Sequence, residues 1–131
     1  PLGKKAETHA VAYYESVRHM KTDVARIAKT TGFSEKEIQD IKNFIFYDKH
    51  DLGDGEPKRF EPDFMMAESW KRLINGTPEA HDITMIKHEI TERKLMCKGY
   101  TQDEAHIMAS KQYNYNKEAM EFYGKIKKYR D

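Results

Sequence analysis

A chain of 131 residues, 38% hydrophobic and 34% charged, is long enough for one domain with its own core and too apolar to be disordered by default. Its 23 basic and 22 acidic residues leave a net charge of +1, so no overall field draws it to nucleic acid or to a membrane surface. The single cysteine, Cys97, excludes an intrachain disulfide and an all-cysteine zinc cage, and no apolar run approaches the roughly 18 residues that span a bilayer.

Pro1-Leu2-Gly3 reads as the remnant of a cleaved tag, which leaves 4–131 as a single helical domain cut from a longer protein. A helical stripe of Val11, Tyr14 and Val17 runs from about His9 to Met20. Thr22 caps a second helix carrying Val24, Ile27 and Ala28, which ends before Gly32. Ser34-Glu35-Lys36-Glu37 has the form of a capping box, in which hydroxyl and carboxylate satisfy each other's terminal amides. It opens a third helix with Ile38, Ile41, Phe44 and Ile45 on one face. Periodicity is lost over 47–61, a turn-rich loop around Asp51-Leu52-Gly53-Asp54-Gly55. Pro62 suits the first turn of a fourth helix bearing Met65, Met66, Ser69, Trp70 and Leu73, stopped by Asn75-Gly76. Asp82 caps a fifth helix that runs to Lys98. A second capping box, Thr101 to Glu104, opens a sixth helix reaching about Tyr113, and a last helix starts near Asn116. No alternating run reads as a strand. The expected fold is all-α, six to seven helices with one long loop.

The fifth helix carries the most suggestive chemistry. Ile83, Ile86 and Ile90 share one face, while His88 and Glu92 lie one turn apart on nearly the opposite face. Met85, Leu95 and Met96 flank that second face, so the helix should be buried on two sides, with His88 and Glu92 in partly dry surroundings. The plain alternative is a buried His paired with a same-helix Glu for stability. His88-Glu89-x-x-Glu92 departs from the zinc-protease pattern, which needs a second His where Glu92 stands. His106 sits beside Ala105 and Ala109, small residues that permit close helix packing. If it faces His88, the two imidazoles can serve as acid and base with Glu92 or Glu89 orienting one of them. This reading needs no cofactor. The competing one is a divalent metal held by His88, Glu92 and His106. His50, Arg59 and Arg72 are candidates for holding substrate, the arginines through the planar fork that suits anions. Tyr115 can stack a base, or simply mark a helix junction. Trp70 reads as a core anchor, and Cys97 as a free, half-buried thiol. The basic tail from Lys125 to Arg130 reads as a solvated last turn.

Residues 22–46 also have the outline of a helix-turn-helix. Glu35, Glu37 and Asp40 on its second helix would face DNA phosphates unfavourably, so a plain helical hairpin or a protein-binding module is the better reading.

The motifs Phe46-x3-His50-x-Leu52, Arg59-Phe60-x-Pro62-Asp63, Ala67-x2-Trp70-x-Arg72-Leu73-x2-Gly76, Lys87-His88-Glu89-x2-Glu92 and Gln102-x2-Ala105-His106 follow one another in this order. The pattern spans residues 22–124 and resembles the C-terminal toxin domains of bacterial polymorphic toxins carried on phage head-morphogenesis (MuF-type), LXG-type or Rhs-type proteins. The resemblance implies an antibacterial effector delivered to act in the target-cell cytoplasm and neutralised by a cognate immunity protein, with no membrane partner. It places His88, Glu89, Glu92 and His106 at the reacting centre, with Arg72 and His50 behind them. Such domains often attack nucleic acids, and others act on nucleotides, lipids or membranes; the expected activity here is an RNase-like hydrolase.

Overall fold

The computed structural model describes residues 3–126. Pro1, Leu2 and the residues beyond Ile126, which include most of the basic tail, lie outside them. Seven α-helices follow in chain order: α1 Gly3–His19, α2 Asp23–Thr31, α3 Glu35–Lys42, α4 Phe64–Asn75, α5 Ala80–Cys97, α6 Gln102–Gln112 and α7 Tyr115–Lys125. Among the described residues the only extended pairing is one isolated bridge, in which His50 and Lys58 exchange backbone hydrogen bonds of 2.8 and 3.0 Å across the long loop.

Local chemistry sets most of the helix ends. Gly32 terminates α2 in the left-handed region at φ +84°, where its N–H reaches the Ala28 carbonyl at 3.0 Å. Both capping boxes form. Ser34 Oγ accepts from Glu37 N at 3.0 Å while Glu37 Oε1 accepts from Ser34 N at 2.9 Å. Thr101 and Glu104 make the same exchange at 3.1 and 2.9 Å. Three expected boundaries move, the first being that of α1, which begins at Gly3 and not near His9. Asp63, one residue after Pro62, caps α4 by accepting from Met66 N at 2.9 Å. Asp82 lies inside α5 at its third position and reaches back to Glu79 N at 2.8 Å, so the helix begins three residues earlier than expected.

The end of α3 was not foreseen. The chain passes from Lys42 into a π turn over Asn43–Tyr47. Three successive side chains of this turn, Phe44, Ile45 and Phe46, are all buried. Phe46 then fills the centre of the core, edge-on to Tyr14 of α1 with ring centroids at 4.6 Å and to Trp70 of α4 at 5.2 Å. Trp70 is a core anchor, fully buried, and its indole N–H donates to Asp23 Oδ2 at 3.2 Å.

The same Asp23 carboxylate accepts from Lys42 Nζ at 2.9 Å, and that ammonium also donates to the Met20 carbonyl at 3.0 Å. Both charged side chains are buried. They lock α2, α3 and α4 together, so Lys42 belongs to the interior and not to a DNA-facing surface.

Helix α5 is the hub of the domain. It packs on α3 and α4 on one side and on α6 and α7 on the other. Its buried residues, His81, Asp82, Met85, Ile86, His88, Glu89 and Glu92, cover one broad face, with Ile83 and Ile90 half-buried at its edge and Lys87 and Lys94 exposed on the opposite side. Cys97, the last residue of α5, is exposed and not half-buried.

Candidate active site

His88 and Glu92 stand one helical turn apart on the face of α5 that meets α6. His106 lies on α6, which Gly99 and the Thr101 capping box fold back against α5. Both imidazoles converge on one carboxylate oxygen. His88 Nε2 is 3.0 Å and His106 Nδ1 3.1 Å from Glu92 Oε1, and the ring centroids are 5.0 Å apart. Gln102, one turn before His106, donates to the other Glu92 oxygen at 3.4 Å. His88 Nδ1 is 2.9 Å from the Tyr113 carbonyl, which can only accept, so that nitrogen carries a proton. The Ala105 and Ala109 side chains are fully buried on the contact face of α6, and their small size allows the close approach.

The cluster is half open. The His88 and Glu92 side chains are 4% and 3% exposed, whereas that of His106 is 51% exposed. Beside it lies a cleft of about 180 Å³. Tyr14, Phe60 and Met66 give it an apolar lining, and Glu61, Asp63, Glu89 and Glu92 contribute four acidic groups. Glu89 is 6% exposed and accepts no hydrogen bond among the described residues.

These surroundings move the titrating groups. Burial, reinforced by the charge of Glu92, pushes Glu89 up to about 8. Burial also works against the imidazolium of His88, but the hydrogen bond to Glu92 and the charge of Glu89 outweigh it and hold His88 above its ordinary value. For Glu92 the hydrogen bonds from His88 and His106 overcome burial and keep the carboxylate below its usual range.

The four expected reacting residues, His88, Glu89, Glu92 and His106, are thus brought to one place. The four expected substrate holders are not. Arg72 is engaged elsewhere: its guanidinium clamps Asp82 through Nε at 2.7 Å and an Nη at 2.9 Å, and it also meets Tyr123 and His81. It ties α4 to α5 and α7, with no donor directed at the cleft. Tyr115 is buried with its hydroxyl 2.9 Å from Ser69 Oγ, and Asn114 caps α7 through Lys117 N, so this stretch is a helix junction. Arg59 donates to the Tyr47 carbonyl at 3.1 Å on the surface of the loop. His50 is buried, 2.8 Å from the Phe44 carbonyl, and stacks on Phe60 at 4.2 Å, so it touches the cleft only through that ring. Residue-by-residue reading missed Gln102, Glu61 and Asp63. The spacing of Gln102, four before His106 on one helix, was the available signal for the first.

The Arg72 cluster makes its own prediction. An Arg72 N–H donates to His81 Nε2 at 3.0 Å, which fixes His81 as a neutral ring protonated at Nδ1. Burial holds His81 below its ordinary value of 6.5, the Arg72 charge adds to this, and Asp82 opposes it. As pH falls below 6.5 the unfolded chain takes up this proton before the folded one does, so stability drops on the acid side. Urea midpoints measured from pH 8 to pH 5 should fall less steeply for His81→Gln, which keeps an acceptor for Arg72. Parallel curves for the two proteins would remove His81 as the cause.

No family model, curated protein or solved structure matches this chain. Among the described residues no helix is long and apolar enough to cross a membrane.

Proposed function

We propose that the chain is a hydrolase whose water-activating centre is the His88–Glu92–His106 cluster, working as a toxin-type effector domain. One observation carries the reading: imidazoles from two successive helices share a single carboxylate oxygen at the edge of a cleft, one ring buried and the other open. A shared carboxylate orients both rings at once. The exposed ring can exchange a proton with substrate and solvent while the buried one holds the carboxylate in place. Residues that merely stabilise a core would not need an imidazole left half in solvent.

The charge of the cleft bears on the substrate. Glu61, Asp63 and Glu92 oppose a polyanion such as RNA unless a cation is bound among them, and they favour a neutral or cationic substrate otherwise. The reading is tested by inducing the wild type and Glu92→Gln in bacterial cells. Both purified proteins are then assayed on RNA, DNA, peptide and ester substrates. The wild type should arrest growth and hydrolyse one of these classes, and Glu92→Gln should do neither. Two harmless proteins that hydrolyse none of the four would end the proposal.

A further inference from the structure

Resting on the hydrolase reading, we propose that His88 Nε2, the Glu92 carboxylate and His106 Nδ1 hold a zinc-class divalent transition-metal ion facing the acidic cleft.

Three ligand atoms, one from each of these residues, lie within 4.8 Å of one another. The two nitrogen-to-oxygen separations are 3.0 and 3.1 Å. Ligands at zinc bond lengths of about 2.0–2.1 Å on a tetrahedron stand roughly 3.3–3.4 Å apart, so each imidazole nitrogen needs to part from the Glu92 oxygen by only a few tenths of an ångström, while the two nitrogens, already within 4.8 Å of each other, settle to the same spacing. Two imidazoles and a carboxylate form a donor set suited to zinc and its first-row neighbours, while magnesium and calcium prefer oxygen ligands throughout.

The surroundings of the ligands match what a metal requires. A ligating histidine normally donates its other ring N–H to a carbonyl or carboxylate, which fixes the tautomer. His88 does so, with Nδ1 on the Tyr113 carbonyl, and this directs the lone pair of Nε2 toward Glu92. Gln102 steadies the second oxygen of Glu92 from α6. Both His88 nitrogens therefore face oxygens, and only a second proton or a cation can satisfy both at once.

An independent feature points to a ligand in the cleft itself. Glu89 is more than nine-tenths buried, lines the cleft and receives no hydrogen bond among the described residues. A carboxylate so placed gains from a cation close by, or from a water bound to one. It also follows His88 directly on the helix. Where two metal ligands stand four residues apart on a helix, the carboxylate that follows the first can serve as the base. In this chain Glu92 takes the place of the usual second histidine. Glu89 would accept a proton from the metal-bound water as that water's oxygen bonds to the electrophilic centre of the substrate. The bond to the leaving group then breaks, the proton passes to that group, and nothing is oxidised or reduced.

The experiment uses the whole chain, freed of metal with a chelator and titrated with zinc. Bound metal per chain and melting temperature are read separately from activity. One zinc per wild-type chain is expected, with a rise in melting temperature. Gln102→Ala should weaken binding by about 10- to 100-fold, the usual effect of losing a group that orients a ligand. His106→Ala, at an exposed position that does not endanger folding, should weaken it further. Absence of stoichiometric zinc in the wild type, or equal zinc binding in wild type and His106→Ala, would overturn the site. Hydrolysis that persists in chelator with no metal bound would remove the metal and leave the hydrolase. Zinc bound at these residues without hydrolysis of any substrate would keep the metal site and remove the reaction.

Discussion

His106→Ala should leave the fold intact and lower the hydrolytic rate by about 10²- to 10⁴-fold, the range expected when a positioned acid or base is removed. The two halves of this expectation come from different observations. The side chain is 51% exposed and, among the described residues, hydrogen-bonds only to Glu92. Truncating it opens no cavity and leaves Glu92 still held by His88 and Gln102. The melting temperature should therefore move little, since substitutions at exposed positions away from core and caps usually change stability by about 0.5 kcal/mol or less. The rate falls because the open ring is the one that can reach substrate. His88→Ala tests less cleanly: the buried ring also bridges α5 to the Tyr113 carbonyl, so its loss mixes folding with function. Unchanged turnover in well-folded His106→Ala would show that the cluster is a structural polar network and nothing more. Growth inhibition in cells should fall in parallel with the purified rate.

How far the site was legible from the residues follows from how it is built. His88 and Glu92 interact within a single helix, where a spacing of four fixes their mutual position, so the sequence could place them on a shared face. His106 required only one further step, a short capped turn that returns the next helix against the same face, and Gly99 with the Thr101 capping box announces that turn. Arg72 shows the opposite case. Nothing local signals that its guanidinium is spent on Asp82, ten residues ahead, and on Tyr123, fifty-one residues ahead. Tyr115 is likewise withdrawn by Ser69, forty-six residues away. An arginine or tyrosine looks available in sequence until its tertiary partner is known. The acidic cleft was invisible for the same reason, since Glu61 and Asp63 come from the end of the long loop and Glu89 from the hub helix. The π turn at Asn43–Tyr47 was hidden differently: its apolar residues fit a continuing α-helix as well as the wider turn, and only the core they fill decides between them.

The same distinction makes Lys42→Met a severe substitution for stability, with an expected loss of about 3–5 kcal/mol, as is found when one partner of a buried ion pair is removed. Lys42 and Asp23 are 4% and 2% exposed in their side chains, so water cannot take over from the missing ammonium. Methionine fills much of the volume, but Asp23 is left with the Trp70 indole N–H and the Val24 amide for company, and its charge goes uncompensated in the core. A domain of this size is stable by only about 5–15 kcal/mol, so urea unfolding of Lys42→Met should show a sharply lower midpoint or no folded baseline. Adding Asp23→Asn removes the stranded charge while keeping an acceptor for the indole. The double variant should therefore recover a large part of the loss and be more stable than Lys42→Met alone. If the two substitutions simply add, the pair is not coupled and the junction of α2, α3 and α4 is held by the Phe46 and Trp70 packing instead. This junction shares no residue with the His88–Glu92–His106 cluster, so the double variant should keep whatever hydrolytic rate the wild type shows, wherever it remains folded.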